Sequence, residues 1–337
     1  MEPGCGDFER KLLGAVERCV PLVREPYARM AAELGCSEKS LLDHLKILRA
    51  ANGVIREISG VFYAPALGYS QALVALGVEA QKADAAGRTV AEHPGVSHCY
   101  KRSGTYSIWF TLAVSSRSSL GLQNTALALA DACGAGSHMI LPALKRYKLS
   151  ARFAAEDHSG PRPETPTPRS AELSDEQMLA GRALQMDLPN ASDPFAIVAE
   201  KAGIGADDLL VHASDFLSAG WMRRYAAALH HRAAGARENV LVAWAVGPEQ
   251  ADRAGAACAK PRQVSHCYLR PPGPDWPHTL YTMIHGRDRA ECERVITELA
   301  GSAGLAERQE LWTLAEFKKR RVPLFGDEET KWEAAHG

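Results

Sequence analysis

Val96-Ser97-His98-Cys99-Tyr100-Lys101-Arg102 returns 168 residues later as Val264-Ser265-His266-Cys267-Tyr268-Leu269-Arg270, changed at one position. Self-similarity at a fixed displacement marks a fold built more than once. The same register runs upstream. Pro26-Tyr27-Ala28 falls on Pro194-Phe195-Ala196, His44 on His212, Arg56 on Arg224, and Leu73-Val74-Ala75 on Leu241-Val242-Ala243. After Arg270 the second copy carries a longer loop, Pro271 to Pro277. Leu311, Leu314, Phe317 and Lys318 then resume against Leu141, Leu144, Tyr147 and Lys148.

Outward from the motif, periodicity predicts the elements. In the first copy Tyr27 to Leu34 has helical apolar spacing, Ser37 is placed to cap a second helix, and Leu41, Leu42, Leu45 and Leu48 mark its buried side. That is a helix-turn-helix, followed by a wing strand at Val54 to Ile58. Strands are expected at 71–78, 96–102, 105–114 and 144–153, with helices at 80–92 and 116–132, in the order βαββαβ. The second copy repeats the scheme with strands near 240–246, 264–270, 278–285 and 311–317.

The fold class is therefore α/β (α+β), two tandem copies of a winged helix-turn-helix followed by a ferredoxin-like βαββαβ sandwich. The expected domains are 1–62 and 63–154 for the first copy, a Pro-rich linker at 155–176, a degenerate winged helix-turn-helix at 177–230, and the second sandwich at 231–325. The linker carries Pro161, Pro163, Pro166 and Pro168 among Ser, Thr and charges, the composition of an exposed, semi-stiff spacer.

With 337 residues, 46% hydrophobic composition and a formal net charge of −1, the chain has cores to bury and no global field for nucleic acid. It carries no long apolar run and no basic, apolar leader, so a cytoplasmic protein with no membrane partner is expected. Its eight cysteines are scattered without CxxC spacing, which predicts reduced thiols. Cys99 and Cys267 read as small hydrophobes of their strands. No HExxH, P-loop or convincing dinucleotide fingerprint occurs.

Because alternate residues of a strand share a face, His98, Tyr100 and Arg102 should point together, and so should His266, Tyr268 and Arg270. With this motif in both copies, Arg270-Pro271 leading into Pro274-Asp275-Trp276-Pro277, Leu280-Tyr281-Thr282-Met283, and Glu316-Phe317-Lys318-Lys319, the sequence resembles the Lrp/AsnC superfamily. Within it the resemblance is to the siroheme decarboxylases. His230-His231-Arg232-Ala233-Ala234-Gly235 looks like that family's histidine-arginine segment.

The resemblance implies an enzyme with two subunit types, here fused. It removes carbon dioxide from the C12 and C18 acetates of siroheme to give 12,18-didecarboxysiroheme, with no cofactor beyond the substrate's own iron. The halves would pair intramolecularly, and a further homodimer stays open. Tyr63-Ala64-Pro65-Ala66 stands where the second copy has His231-Arg232-Ala233-Ala234. The halves therefore differ, and the main pocket is expected to draw more heavily on the second.

A flat apolar macrocycle fringed with carboxylates needs apolar walls and cationic edges. Arg270, Arg232 and Arg102 are candidate carboxylate clamps, Lys148, Lys318 and Lys319 candidate point charges, and Tyr100 and Trp276 further candidate contacts. Loss of carbon dioxide from a pyrrole acetate calls for an acid. His266 is the first candidate, with His98 and His231 behind it and Tyr268 as relay or donor. A histidine ligating the substrate iron instead stays open.

Two other function classes fit the same elements. One is an Lrp/AsnC-type transcription regulator, but the second copy's reading helix carries Asp207, Asp208 and Asp215 and no Lys or Arg, which repels phosphate. The other is a haem or siroheme sensor that binds the ring without chemistry.

Overall fold

The computed structural model describes residues 6–50, 53–149, 172–229 and 237–336. In the first copy the chain runs α1 (Asp7–Arg18), α2 (Pro26–Leu34), α3 (Glu38–Leu48), β1 (Ile55–Phe62), β2 (Tyr69–Gly77), α4 (Ala83–Glu92), β3 (Val96–Arg102), β4 (Ile108–Ser115), α5 (Gly121–Ala132), β5 (Ser137–Pro142) and β6 (Lys145–Leu149). The second copy follows with α6 (Asp175–Leu184), α7 (Pro194–Ala202), α8 (Ala206–Ser218), β7 (Met222–Leu229), β8 (Glu238–Trp244), α9 (Pro248–Cys258), β9 (Val264–Leu269), β10 (Leu280–Gly286), α10 (Arg289–Ala303), β11 (Arg308–Lys319) and α11 (Glu328–His336). The contacts divide the chain into two units, and each unit draws on both copies.

The first unit, 1–68 with 153–235 and 323–326, holds α1 to α3, α6 to α8, β1 and β7. Local chemistry sets the helix ends. Pro26 and Pro194 occupy first-turn positions that need no amide donor, and Gly35 and Gly203 close α2 and α7 in the left-handed region at φ 72° and 73°. The Ser37 hydroxyl caps α3 by accepting from the Ser40 amide at 3.2 Å. Tyr27, Leu41 and Leu45 of the first copy and Phe195, Leu209 and Phe216 of the second share one core. The expected wing strand exists, and its partner is the corresponding strand of the other copy: β1 pairs β7 antiparallel, with Ile58 opposite Ala227.

The second unit, 69–152 with 236–322 and 327–337, holds one nine-stranded sheet in the order β5-β2-β4-β3-β11-β8-β10-β9-β6. The twelve residues of β11 serve both copies. Arg308 to Trp312 lies on β8, its own copy, and Thr313 to Lys319 lies on β3 of the first. The first copy returns the arrangement, with β5 on its own β2 and β6 on β9 of the second. The copies thus exchange their terminal strand segments. The final strand expected at 144–153 begins earlier, at Ser137, and breaks after Pro142. Residues 150–153 lie outside the described residues, as does most of the predicted linker.

Helices cover one side of each half-sheet. Val74, Leu76, Ala86, Phe110 and Leu129 form the first helix-side core, and Val240, Val242, Ala254, Val295 and Leu299 the second. A third core takes residues from strands and loops of both copies and none from helices: Leu73, Trp109, Leu141, Leu241, Tyr281 and Leu311 among them. Cys99 and Cys267 are fully buried and their thiols donate to the carbonyls of Gly87 and Gly255, which fits their reading as packing residues.

Candidate active site

The repeated motif carries an extra residue in each strand. Val96 and Cys99 both belong to the helix-side core although two residues separate them, and the ladder to β4 shifts between Val96 and His98. In β9 the ladder to β10 shifts likewise between Val264 and His266. These are bulges at Ser97 and Ser265, which re-aim the side chains that follow. Each serine hydroxyl then meets the next histidine: Ser97 Oγ lies 2.9 Å from His98 Nδ1 and Ser265 Oγ 2.7 Å from His266 Nδ1.

Past the bulge the expected shared face is present in both copies. The His98 and Tyr100 rings lie 6.4 Å apart at 26°, and the Arg102 guanidinium sits 4.9 Å from the Tyr100 centroid. His266 and Tyr268 lie 6.3 Å apart at 22°, with Arg270 at 5.1 Å from the second ring. The result is two strips of imidazole, phenol and guanidinium on the sides of their strands away from the helices.

Both arginines are buried charges. Arg102 is 4% exposed and Arg270 9%, and among the described residues neither reaches a carboxylate. Arg102 Nη1 donates to the Leu311 carbonyl at 3.0 Å and to Thr313 Oγ1 at 2.9 Å, Arg270 Nη1 donates to the Leu141 carbonyl, and the Nε of each has no acceptor. Burial lowers both to about 10, so both remain charged at neutral pH. A desolvated cation without a counter-charge is costly and favours binding an anion. Leu141 and Leu311 are corresponding positions, each on its own copy's ladder just before the exchanged segment, so each arginine also reaches across to the backbone of the other copy.

The strips approach one another. Arg102 Nη2 lies 3.8 Å from the sulfur of Met283, and Met283 is the ladder partner of His266. Desolvation, followed by the charges of Arg270 and Lys319, pushes His266 down to about 4, so the ring is neutral at pH 7 before any anion arrives. Ser265 Oγ also lies 2.9 Å from His285 Nε2, completing a hydrogen-bonded path from His266 to His285.

The remaining candidates separate. Lys148 and Lys318 donate to the carbonyls of Pro261 and His93, at 2.6 and 2.7 Å, on the helix side of the sheet. They pin the exchanged segments, and the structure does not bring them to the strips. Lys319 does reach the strip side, as the ladder partner of His98. Trp276 is an anchor: 8% exposed, it donates from Nε1 to the Tyr281 hydroxyl at 2.8 Å and packs against Tyr106, Trp109 and His278. His231 and Arg232 lie outside the described residues.

Four polar residues escaped the sequence reading. Ser97 and Ser265 were visible inside the repeat but carry no chemistry until the bulge turns them toward the histidines. His285 has Ala113 at the matching ladder position, so the repeat gave no signal for it. His278 is 3% exposed with both ring nitrogens unpartnered, and burial lowers its pKa.

Two α/β copies that exchange strands around a shared inner face define an AsnC-like ligand-binding protein, and the AsnC-like ligand binding domain family matches residues 66–148 and 233–318. The siroheme decarboxylase NirDL-like HTH domain matches 9–56. A siroheme decarboxylase of Hydrogenobacter thermophilus is 29% identical over 327 residues, 96% of each chain. The siroheme decarboxylase beta subunit of Desulfovibrio desulfuricans is 37% identical over 157 residues, 46% of this chain and 99% of that one. The crystal structure of the siroheme decarboxylase NirDL superposes with a TM-score of 0.79 at 26% identity, covering 98% of both chains, and a second structure of it holds an iron-uroporphyrin III analogue. This chain belongs to the siroheme decarboxylase family.

Proposed function

We infer that this protein decarboxylates siroheme, taking the acetates at C12 and C18 to methyl groups and yielding 12,18-didecarboxysiroheme. The observation that carries this reading is the pair of buried guanidinium groups, Arg102 and Arg270, each stacked on a Tyr–His strip and each without a carboxylate partner among the described residues. A substrate carrying several carboxylates supplies the missing charge.

Each step converts a carboxymethyl group and one proton into a methyl group and carbon dioxide. The carbon–carboxyl bond breaks, its electron pair passes into the pyrrole, and a proton must be delivered to the ring or to the nascent methylene. His266 is the candidate donor. It is neutral in the free protein because burial, and after it the charges of Arg270 and Lys319, disfavour its protonated form, and a bound carboxylate offsets those charges and raises its proton affinity. The path through Ser265 to His285 offers a route for that proton. Tyr268 and Tyr100 are candidate donors to the carboxylate, and His98 serves the first-copy strip. His231 and Arg232 are proposed contributors on the resemblance alone. The same resemblance supports a reaction without added cofactor, with the iron belonging to the substrate. No helix of the described residues is long and apolar enough to cross a membrane.

The test is anaerobic incubation with siroheme, following product mass. Loss of two carboxyl groups, slowed by His266→Ala, is the expected result. Binding with unchanged mass would leave a tetrapyrrole sensor.

A further inference from the structure

Arg102 and Arg270 are corresponding residues, but they are held differently. Arg270 Nη1 donates to the Leu141 carbonyl. Arg102 Nη1 donates to the matching carbonyl, that of Leu311, at 3.0 Å and also to Thr313 Oγ1 at 2.9 Å. Thr313 in turn donates its one hydroxyl hydrogen to Asn239 Oδ1 at 2.6 Å. Thr313 is the ladder partner of Arg102, so the two side chains share a face. At the matching place of the first copy stands Ala143, which has no hydroxyl to offer Arg270.

We propose that Thr313, backed by Asn239, is a positioning residue that holds Arg102 so that the Nε and Nη2 edge of its guanidinium grips one substrate carboxylate side-on. The inference rests on the decarboxylase reading and deepens it by naming a residue that acts through the clamp.

The Nε–H and one Nη2–H of a guanidinium run parallel along one edge and match the two oxygens of a carboxylate. With Nη1 committed to two acceptors, that edge is the part left to meet a ligand. Arg102 Nε has no acceptor, and among the described residues Nη2 meets the thioether of Met283 at 3.8 Å, a weak acceptor on a flexible side chain that can give way. The chain of bonds has one direction: the threonine oxygen accepts from the cation and its hydrogen is spent on Asn239. Holding a long side chain in its bound geometry before the ligand arrives reduces the entropy lost on binding. Valine in place of Thr313 would keep the shape and leave Nη1 of Arg102 with the carbonyl alone. Asn239 is also the ladder partner of His285, where the path from His266 through Ser265 ends, so the brace and the proton path meet at one level of the inner face.

Titration with iron uroporphyrin III, followed by its absorbance change, reads the grip without turnover. Turnover of siroheme by the unaltered protein separately tests the reading beneath it. Thr313→Val should weaken binding about tenfold and raise KM for siroheme by a similar factor with kcat within about threefold, and Thr313→Ser, which restores the hydroxyl, should recover most of the loss. Asn239→Ala, which leaves the threonine unbacked, should shift affinity the same way by about threefold, and it gives the same comparison should Thr313→Val not fold. In an Arg102→Met background Thr313→Val should change affinity by less than about twofold, because a residue that acts through Arg102 has nothing left to hold. If Thr313→Val binds as tightly as the unaltered protein while siroheme is still decarboxylated, the assignment falls and the function stands. A loss that persists undiminished in the Arg102→Met background would make Thr313 a general support of the sheet and overturn its role. If the unaltered protein binds neither tetrapyrrole, the function falls and the inference with it.

Discussion

The ring of Tyr147 in β6 lies directly over Gly255 of α9, so that a Cβ added at Gly255 would collide with it, and Phe317 of β11 stands in the same relation to Gly87 of α4. The two contacts are mutual: each copy's exchanged segment seats an aromatic ring on a glycine of the other copy's helix. Only the absence of a side chain allows the ring so close.

Gly87→Ala and Gly255→Ala should therefore each destabilise the protein. Overpacking costs about 1–3 kcal/mol and the gain in helix propensity returns up to about 1. Gly301, in α10, has open space around it, so Gly301→Ala should stabilise by about 0.5–1 kcal/mol. Urea unfolding of the three variants checks the opposite signs. A stabilised Gly255→Ala would mean that the Tyr147 ring is not seated there.

Arg270 separates binding from folding. Replacing a buried, unpaired cation with an apolar side chain of similar length is often neutral or stabilising, so Arg270→Met should unfold within about 1 kcal/mol of the unaltered protein while its affinity for iron uroporphyrin III falls at least about tenfold. A parallel loss of stability would show that the chief task of Arg270 is to hold the Leu141 carbonyl and the strand that bears it.

Acid should destabilise the fold well above the carboxylate range. His93 is fully buried, accepts from the Gly95 amide at Nδ1, and is pushed down to about 4 by burial and then by Lys318. The unfolded chain binds that proton near pH 6.5, so between about 6.5 and 4 the unfolded state holds more protons and stability falls as pH falls. The contribution is on the order of 3 kcal/mol at most. His266 acts in the same direction. Denaturant melts at pH 7, 5.5 and 4.5 should show a clear slope that His93→Gln reduces. An unchanged slope would place the titrating groups elsewhere.

DNA should bind weakly and without sequence preference. On α3 the exposed Lys39 and Lys46 both pair with Asp43, and α8 offers Asp207, Asp208 and Asp215. Fluorescence anisotropy with duplex DNA at about 0.15 M salt should give no saturable binding, because too few cations are available to displace condensed counterions. Saturable binding with a steep salt dependence would restore the regulator reading.

What the sequence determined by itself is the doubled fold and the composition of the strips. The repeat at 96–102 and 264–270 made the two copies evident, and the two-residue period of a strand, a local property of its backbone, placed His98 with Tyr100 and Arg102. Pairing is not local. Nothing in residues 145–149 or 313–319 says that they lie on the other copy's strands, since an alternating segment is compatible with any free edge until the whole sandwich closes. The lysines show the consequence. A bulge between Arg146 and Lys148, and another between Glu316 and Lys318, reverses the alternation, so Lys148 and Lys318 turn to the helix side while Arg146 and Glu316 keep the strip side. The tertiary structure alone decided which cations border the site, because one inserted residue in a ladder exchanges the faces of everything beyond it.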